Sequence, residues 1–229
     1  DEEELRLLER DLEHEYGERY GVLGATSGQE ALEKLRQLKN NNEPVVGQKF
    51  DVILADYLIG AMDGFSPYRQ DEILPKLATY LKPRGRLYIV GLEPILESPP
   101  DSCLDKNANI ICKVRRVRDA CILLAGHRCY REYPVSWIHR QIENCPNLQL
   151  VNTKEYPILY RHATIVKQIN VGRSKLQYMD DSALQASMAK VLDDLESESL
   201  RATELSLTGR LQLGFDYVVA AENDYTECV

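Results

Sequence analysis

Between Gly47 and Gly91 the chain reads GQKFDVILADYLIGAMDGFSPYRQDEILPKLATYLKPRGRLYIVG. Phe50 to Ala55 is a continuous apolar run after its first two residues, without the alternation of a half-exposed strand. Such a run predicts a strand covered on both faces, as in a parallel sheet. It stops at Asp56 and Tyr57, and a glycine-punctuated loop follows. Ser66-Pro67 opens a helix reaching about Leu81, with proline tolerated in its first turn. Lys82-Pro83-Arg84-Gly85 reads as a turn, and Arg86 to Val90 (RLYIV) as a second buried strand, adjacent and parallel to the first. In an open α/β sheet, the carboxyl end of such a strand is where ligands bind. Asp56 and Tyr57 are therefore the first residues to question, although an acid in a turn also serves simply to cap a helix.

Upstream, Leu5, Leu8 and Leu12 recur at helical spacing within Asp1 to Glu15. Tyr20 to Ala25 reads as a short strand. Ser27 with Glu30 makes a capping box for a helix carrying Ala31, Leu32, Leu35 and Leu38, which Asn40 to Asn42 and Pro44 end. Downstream, Ile110 to Leu124 and Val135 to about Asn144 read as helices, and Leu148 to Val151 as a strand. Ile158 to Val171 reads as irregular extended structure, Ser182 to about Leu205 as a long amphipathic helix, and LQLGFDYVVAAEN as a closing strand. Strand-helix-strand units in succession favour a right-handed parallel α/β architecture. The organisation expected is an N-terminal helix-strand-helix part over 1–49 and a core over 50–229, with a helical insertion at about 180–206.

Composition narrows the function classes. The chain has 229 residues, 28% of them charged, and a net charge of −8, so it is a folded chain poorly suited to nonspecific nucleic-acid binding. No stretch approaches the ~20 apolar residues of a membrane span. The six cysteines contain no C-x-x-C pair, so they read as reduced thiols in a cytoplasmic or organelle interior, and no metal site is expected. The chain begins at Asp1 without Met, which reads as a processed or trimmed start.

FDVILADYLIGAMDGF, followed by a helix and LKPRGRLYIVG, resembles the fourth and fifth strands of the class I S-adenosylmethionine-dependent methyltransferases. The helix with Trp137, the strand LQLVNTKEY and the final FDYVVAAEN are similar to that family's sixth and seventh strands and the helix before them. The resemblance implies a Rossmann-like, mostly parallel sheet with a helical insertion before the last strand. It implies S-adenosylmethionine as cofactor and methyl transfer to an oxygen or nitrogen of a small molecule, with Asp56 and Tyr57 beside the cofactor's methyl. The family's glycine-rich cofactor loop, D-x-G-x-G-x-G, has no counterpart: Gly24-Ala25-Thr26-Ser27-Gly28-Gln29-Glu30 keeps one glycine in register and lacks the leading acid. The chain as given is thus expected to bind the cofactor weakly or not at all, and to be inactive in that case. A non-catalytic methyltransferase-like subunit or interaction module in a larger assembly is the alternative, and an exposed central-strand edge would then call for a protein partner or an oligomer. YGVLGATSGQEALEKLRQL with FDVILADYLIGAMDG also resembles a response-regulator receiver with Asp56 as phosphoacceptor, but RLYIVG supplies no hydroxyl where a receiver needs one.

The loop GHRCYREYP gathers further candidates. His127 suits a general base, histidine being the side-chain type whose ordinary range lies nearest neutrality. Tyr133 joins it as a catalytic candidate, and Arg128, Tyr130 and Arg131 suit an aromatic or carboxylate-bearing substrate. A structural polar network is the competing reading of the same residues. Arg115, Arg116 and Arg118 read as a solvated helix face, Glu93 as a substrate-orienting or surface acid, and Cys129 as a packed thiol.

Overall fold

The computed structural model describes residues 49–64, 66–101 and 106–224. The readings made over Asp1 to Pro44, including the glycine-poor loop at Gly24, lie outside these residues, as do Cys103 and Cys228. Four strands are described: β1 (Phe50–Asp56), β2 (Leu81–Leu92), β3 (Leu148–Tyr160) and β4 (Leu211–Asn223), in the spatial order β1-β2-β4-β3. Strand β4 is antiparallel to both neighbours, with Leu87 opposite Ala221 and Leu150 opposite the same residue. Strands β2 and β3 therefore point the same way. β1 follows them: Lys82 bonds Asp51 at 2.8 Å where β1 and β2 begin, and the Tyr57 amide donates to Val90 O at 3.1 Å where they end. Three strands run one way and the last returns between two of them. The fold is a Rossmann-like α/β arrangement. The four strands coincide with the four segments likened to the family's fourth to seventh strands.

The helices of the described residues are α1 (Leu58–Ala61), α2 (Ile73–Ala78), α3 (Asn109–Leu124), α4 (Val135–Glu143), α5 (His162–Lys175) and α6 (Ser182–Leu205). They serve two cores. Under the sheet, Leu74 and Ala78 of α2 and Ile138 and Ile142 of α4 pack on Leu87, Ile89, Tyr217, Val219 and Ala221. The second core joins α3, α5 and α6 to the far ends of β3 and β4 through Ile110, Ile165, Ile169, Leu192, Tyr160 and Leu211. Helix α6 starts where the Asp181 carboxylate accepts the amides of Ala183 and Leu184 at 2.8 and 3.1 Å. Its buried Leu192, Leu195, Ser199 and Ala202 recur at helical spacing.

Several expectations change. Among the described residues, strand β1 is covered on one face: Ile53 and Ala55 pack into the sheet core, whereas Val52 and Leu54 are 56% and 57% exposed. The helices α2 and α4, packed on the sheet, both lie on that same face, so the unbroken apolar run had one covering layer among the described residues. The helix read from Ser66 to Leu81 shrinks to a 3₁₀ turn at Gln70–Glu72 and α2, and Lys82 to Gly85 joins β2, its bend taken up by Arg84 at φ 62°. The segment read as irregular from Ile158 is the end of β3 followed by helix α5, so the helical insertion begins at His162. Arg115 and Arg118 are not a solvated face: Arg115 bonds Glu97 and Asp119 at 2.8 and 3.5 Å, and Arg118 bonds Asp119 and Gln168. Cys112, Cys121, Cys129 and Cys145 form no disulfide among the described residues. Among the described residues, no helix is long and apolar enough to cross a membrane.

Candidate functional site

The carboxyl ends of β1 and β2 meet the start of β4, and the side chains there are acids and aromatics. Tyr57 leaves β1 in a left-handed conformation, φ 46° and ψ 20°, which costs a non-glycine residue roughly 1 kcal/mol. The turn carries its phenol to Asp216, to which it donates at 2.9 Å. Burial, then the Asp216 hydrogen bond and charge, hold the Tyr57 phenol well above its ordinary range, so it stays protonated. Strained backbone that returns a hydrogen bond at a strand end is a common property of functional sites.

Across the sheet, Gly91 of β2 lies opposite Tyr217 of β4. A methyl group on Gly91 would stand 2.3 Å from the Tyr217 hydroxyl, so glycine is what lets the ring lie across β2. The Tyr217 hydroxyl donates to the Tyr133 carbonyl at 2.8 Å, which ties the GHRCYREYP loop to the sheet. Glu132, next in that loop, packs so closely on α1 that a side chain at Gly60 would meet its carboxylate at 2.7 Å. Burial, with the charges of Asp216 and Asp63 behind it, raises the Glu132 carboxyl above the usual carboxylate range. The site therefore gathers Tyr57, Asp216 and Glu132, with Tyr217 and Tyr133 beneath.

The loop's remaining candidates are distributed differently. His127 is exposed and meets Tyr178 edge-on, with ring centroids 5.1 Å apart; it makes no hydrogen bond or ring contact with Tyr57, Tyr133 or Asp216. Tyr133 packs on Trp137 at 4.6 Å, and its phenol is raised chiefly by burial. Tyr130 is 72% exposed, and Arg128 and Arg131 are exposed as well. Asp56 is exposed at the end of β1. Glu93 has a structural role: its carboxylate accepts the Val135 amide at 2.9 Å, in the first turn of α4. An acid at that helix end is favoured by the unsatisfied amides and the helix dipole. Cys129 donates to the Asp119 carbonyl, and burial pushes its thiol up, away from the reactive thiolate.

Asp216 and Tyr217 were not among the residues singled out in the sequence. They sit inside an apolar strand, FDYVVAAEN, where a lone acid and a tyrosine read as the polar alternation of an edge. The available signal was Gly91, a glycine at the end of an apolar strand, which often marks a close approach from elsewhere.

Beside this cluster a groove of about 890 Å³ opens between the segment leaving β2 and the β3–β4 ribbon. Glu93 and Phe215 line its near end, where the Glu93 amide donates to the Phe215 carbonyl at 3.0 Å. Asp216 is thus one residue from the groove.

No protein-family model matches the chain, and no curated protein matches it either. Solved structures do. A Bacillus halodurans protein described provisionally as a methyltransferase is 12% identical, with 87% of this chain and 80% of that one covered and a TM-score of 0.43. A provisional sarcosine dimethylglycine methyltransferase from Galdieria sulphuraria is 14% identical over 87% of this chain and 68% of its own, with a TM-score of 0.34. A loganic acid methyltransferase solved with SAH is 8% identical over 85% of this chain and 58% of its own, with a TM-score of 0.40. These are distant likenesses to structures of this fold, and the Rossmann-like class itself rests on the order and direction of the four strands.

Proposed function

We propose that this chain takes part in S-adenosylmethionine-dependent methyl transfer to an oxygen or nitrogen of a small molecule, with the strand-end cluster as its reacting site. The observation that carries the reading is the Tyr57–Asp216 bond across the carboxyl end of β1, with the Glu132 carboxyl beside it. The cofactor's methyl group is borne on a cationic sulfonium and supplies the electrophile. The donor set fits that end of the cofactor: acid groups and tyrosine rings attract a positive charge. Asp56 and Tyr57 would border it, and the residues expected to hold the rest lie outside those described.

The chain's own residues then do the following. Tyr57, fixed by Asp216, presents a protonated phenol and a rigid wall that hold the acceptor in line, which is the main lever in a displacement of this kind. Glu132, whose raised carboxyl is matched more closely to neutral pH than an ordinary glutamate, accepts the acceptor's proton. Tyr133 and Tyr217 hold the Glu132 loop against the sheet. The exposed Arg128, Tyr130 and Arg131 lie in the same loop and meet incoming substrate at its outer side. His127, on the far end of the loop, has no place in the proton path.

Calorimetric titration of the full protein with S-adenosylmethionine, followed by transfer of labelled methyl to small amines, phenols and acids, tests this. Binding that Asp216→Asn and Tyr57→Phe weaken by tenfold or more supports the assignment. Absence of both binding and transfer in the intact chain refutes it.

A further inference from the structure

We propose that the groove between the β2 exit and the β3–β4 ribbon is a binding site for an elongated apolar molecule ending in a carboxylate, with Arg210 as the anchor of that carboxylate. Ile95 and Leu96 form one wall, and Leu159, Leu213 and Phe215 the other. Leu96 and Leu159 are 56% and 48% exposed, so apolar surface is offered to solvent inside a concave site rather than on a flat one. A volume of about 890 Å³ is that of a small-molecule site.

Arg210 lines the same groove and is partly buried. It makes no side-chain hydrogen bond or ion pair with any described residue, whereas the other partly buried arginines among the described residues, Arg86, Arg115, Arg118 and Arg173, all do. Its backbone is held: the Ser206 and Thr208 hydroxyls both donate to the Arg210 carbonyl, at 2.6 and 3.3 Å. The result is a fixed backbone bearing a guanidinium with no acceptor among the described residues, at one end of an apolar trough. A planar fork of donors pairs best with a carboxylate, bidentately. A phosphate dianion fits less well, because Glu93 lines the other end and the chain as a whole carries net charge −8.

Phe215 and Arg210, which precedes β4 by one residue, are five residues apart in the chain. That is at most about 16 Å if fully extended, and less here because Gly214 at φ 67° and a register shift against β3 interrupt the strand between them. An occupant with its carboxylate at Arg210 has room for a chain of roughly ten carbons before it reaches Glu93 and the strand ends. The placement rests on the strand-end reading only for the identity of the occupant as a methyl acceptor. Binding itself does not depend on it.

The test therefore uses no cofactor. Dodecanoate, dodecanol and dodecyl phosphate are titrated into the full protein below micellar concentrations, followed by calorimetry and by thermal shift. Dodecanoate is expected to bind at least tenfold more tightly than dodecanol, with dodecyl phosphate in between. Arg210→Gln should bring dodecanoate to within twofold of the alcohol, and Arg210→Lys should keep part of the preference. Leu96→Trp, which fills the trough, should weaken acid and alcohol alike. Equal binding of acid and alcohol, a preference untouched by Arg210→Gln, or no binding of any of the three overturns the proposal. None of these outcomes bears on whether the chain binds S-adenosylmethionine.

Discussion

Replacing Gly91 by alanine should destabilise this protein far more than a one-carbon change on a strand ordinarily does. The added methyl would lie 2.3 Å from the Tyr217 hydroxyl oxygen, 2.5 Å from the ring carbon bearing it and 2.9 Å from the next. Non-bonded carbons rest about 3.5–4.0 Å apart, so the ring must retreat by about 1 Å or more. Tyr217 is 2% exposed and enclosed by the sheet core, and over-packing of that kind costs about 1–3 kcal/mol. The retreat also pulls the hydroxyl from the Tyr133 carbonyl, adding about 1–3 kcal/mol if both groups stay buried. Alanine returns about 0.4–1 kcal/mol by restricting the unfolded chain. The expected net loss is about 2–4 kcal/mol, seen as a lower urea midpoint and a Tm fall of roughly 5–15 °C for a chain of this size. The decisive comparison is Gly91→Ala in a Tyr217→Leu background. With the ring gone, the same substitution should be neutral or slightly stabilising, so the two sites are strongly non-additive. A cost below about 0.5 kcal/mol in the parent, or an equal cost in both backgrounds, would refute the close approach.

Three further outcomes are expected. Because Glu132 is raised by burial and by neighbouring acids, its protonated form favours the fold. That contribution is complete below the ordinary carboxylate range and is lost as pH rises through the raised value. Glu132→Gln should therefore be more stable than the parent at neutral pH, and urea midpoints of the two should converge in acid. Glu93→Ala removes the acceptor of the Val135 amide and should cost about 1 kcal/mol, of which Glu93→Gln should recover a part. Val52 and Leu54, 56% and 57% exposed on β1, are expected to promote association with a second copy or a protein partner; sedimentation should show it, and Val52→Lys with Leu54→Lys should reduce it. A monomeric parent at tens of micromolar that also recovers no partner would count against that surface.

How far the sequence reached can be seen residue by residue. The apolar runs at Phe50, Arg86 and Leu211 identified strands because burial of a strand leaves a local record in composition. The helices α3, α4 and α6 were legible from the spacing of Ile110 to Cys121, Ile138 and Ile142, and Leu192 to Ala202, for the same reason. Asp56 and Tyr57 were legible as a strand end, since the change from apolar to polar is itself local. Helix α5 was not: Ile165, Ile169 and Gly172 face partners on α3 and α6, and a weak stripe becomes a helix only when those partners cover it. The exposure of Val52 and Leu54 was also hidden, because an apolar run is the same whether one layer or two covers it. The acid–tyrosine site belongs wholly to the tertiary structure. Tyr57 and Asp216 are 159 residues apart, and Tyr133 and Tyr217 are 84 apart. What joins them is the return of β4 between β2 and β3, which sets Gly91 opposite Tyr217. Strand order and register are chosen by the whole set of packing energies, and no local stretch carries them.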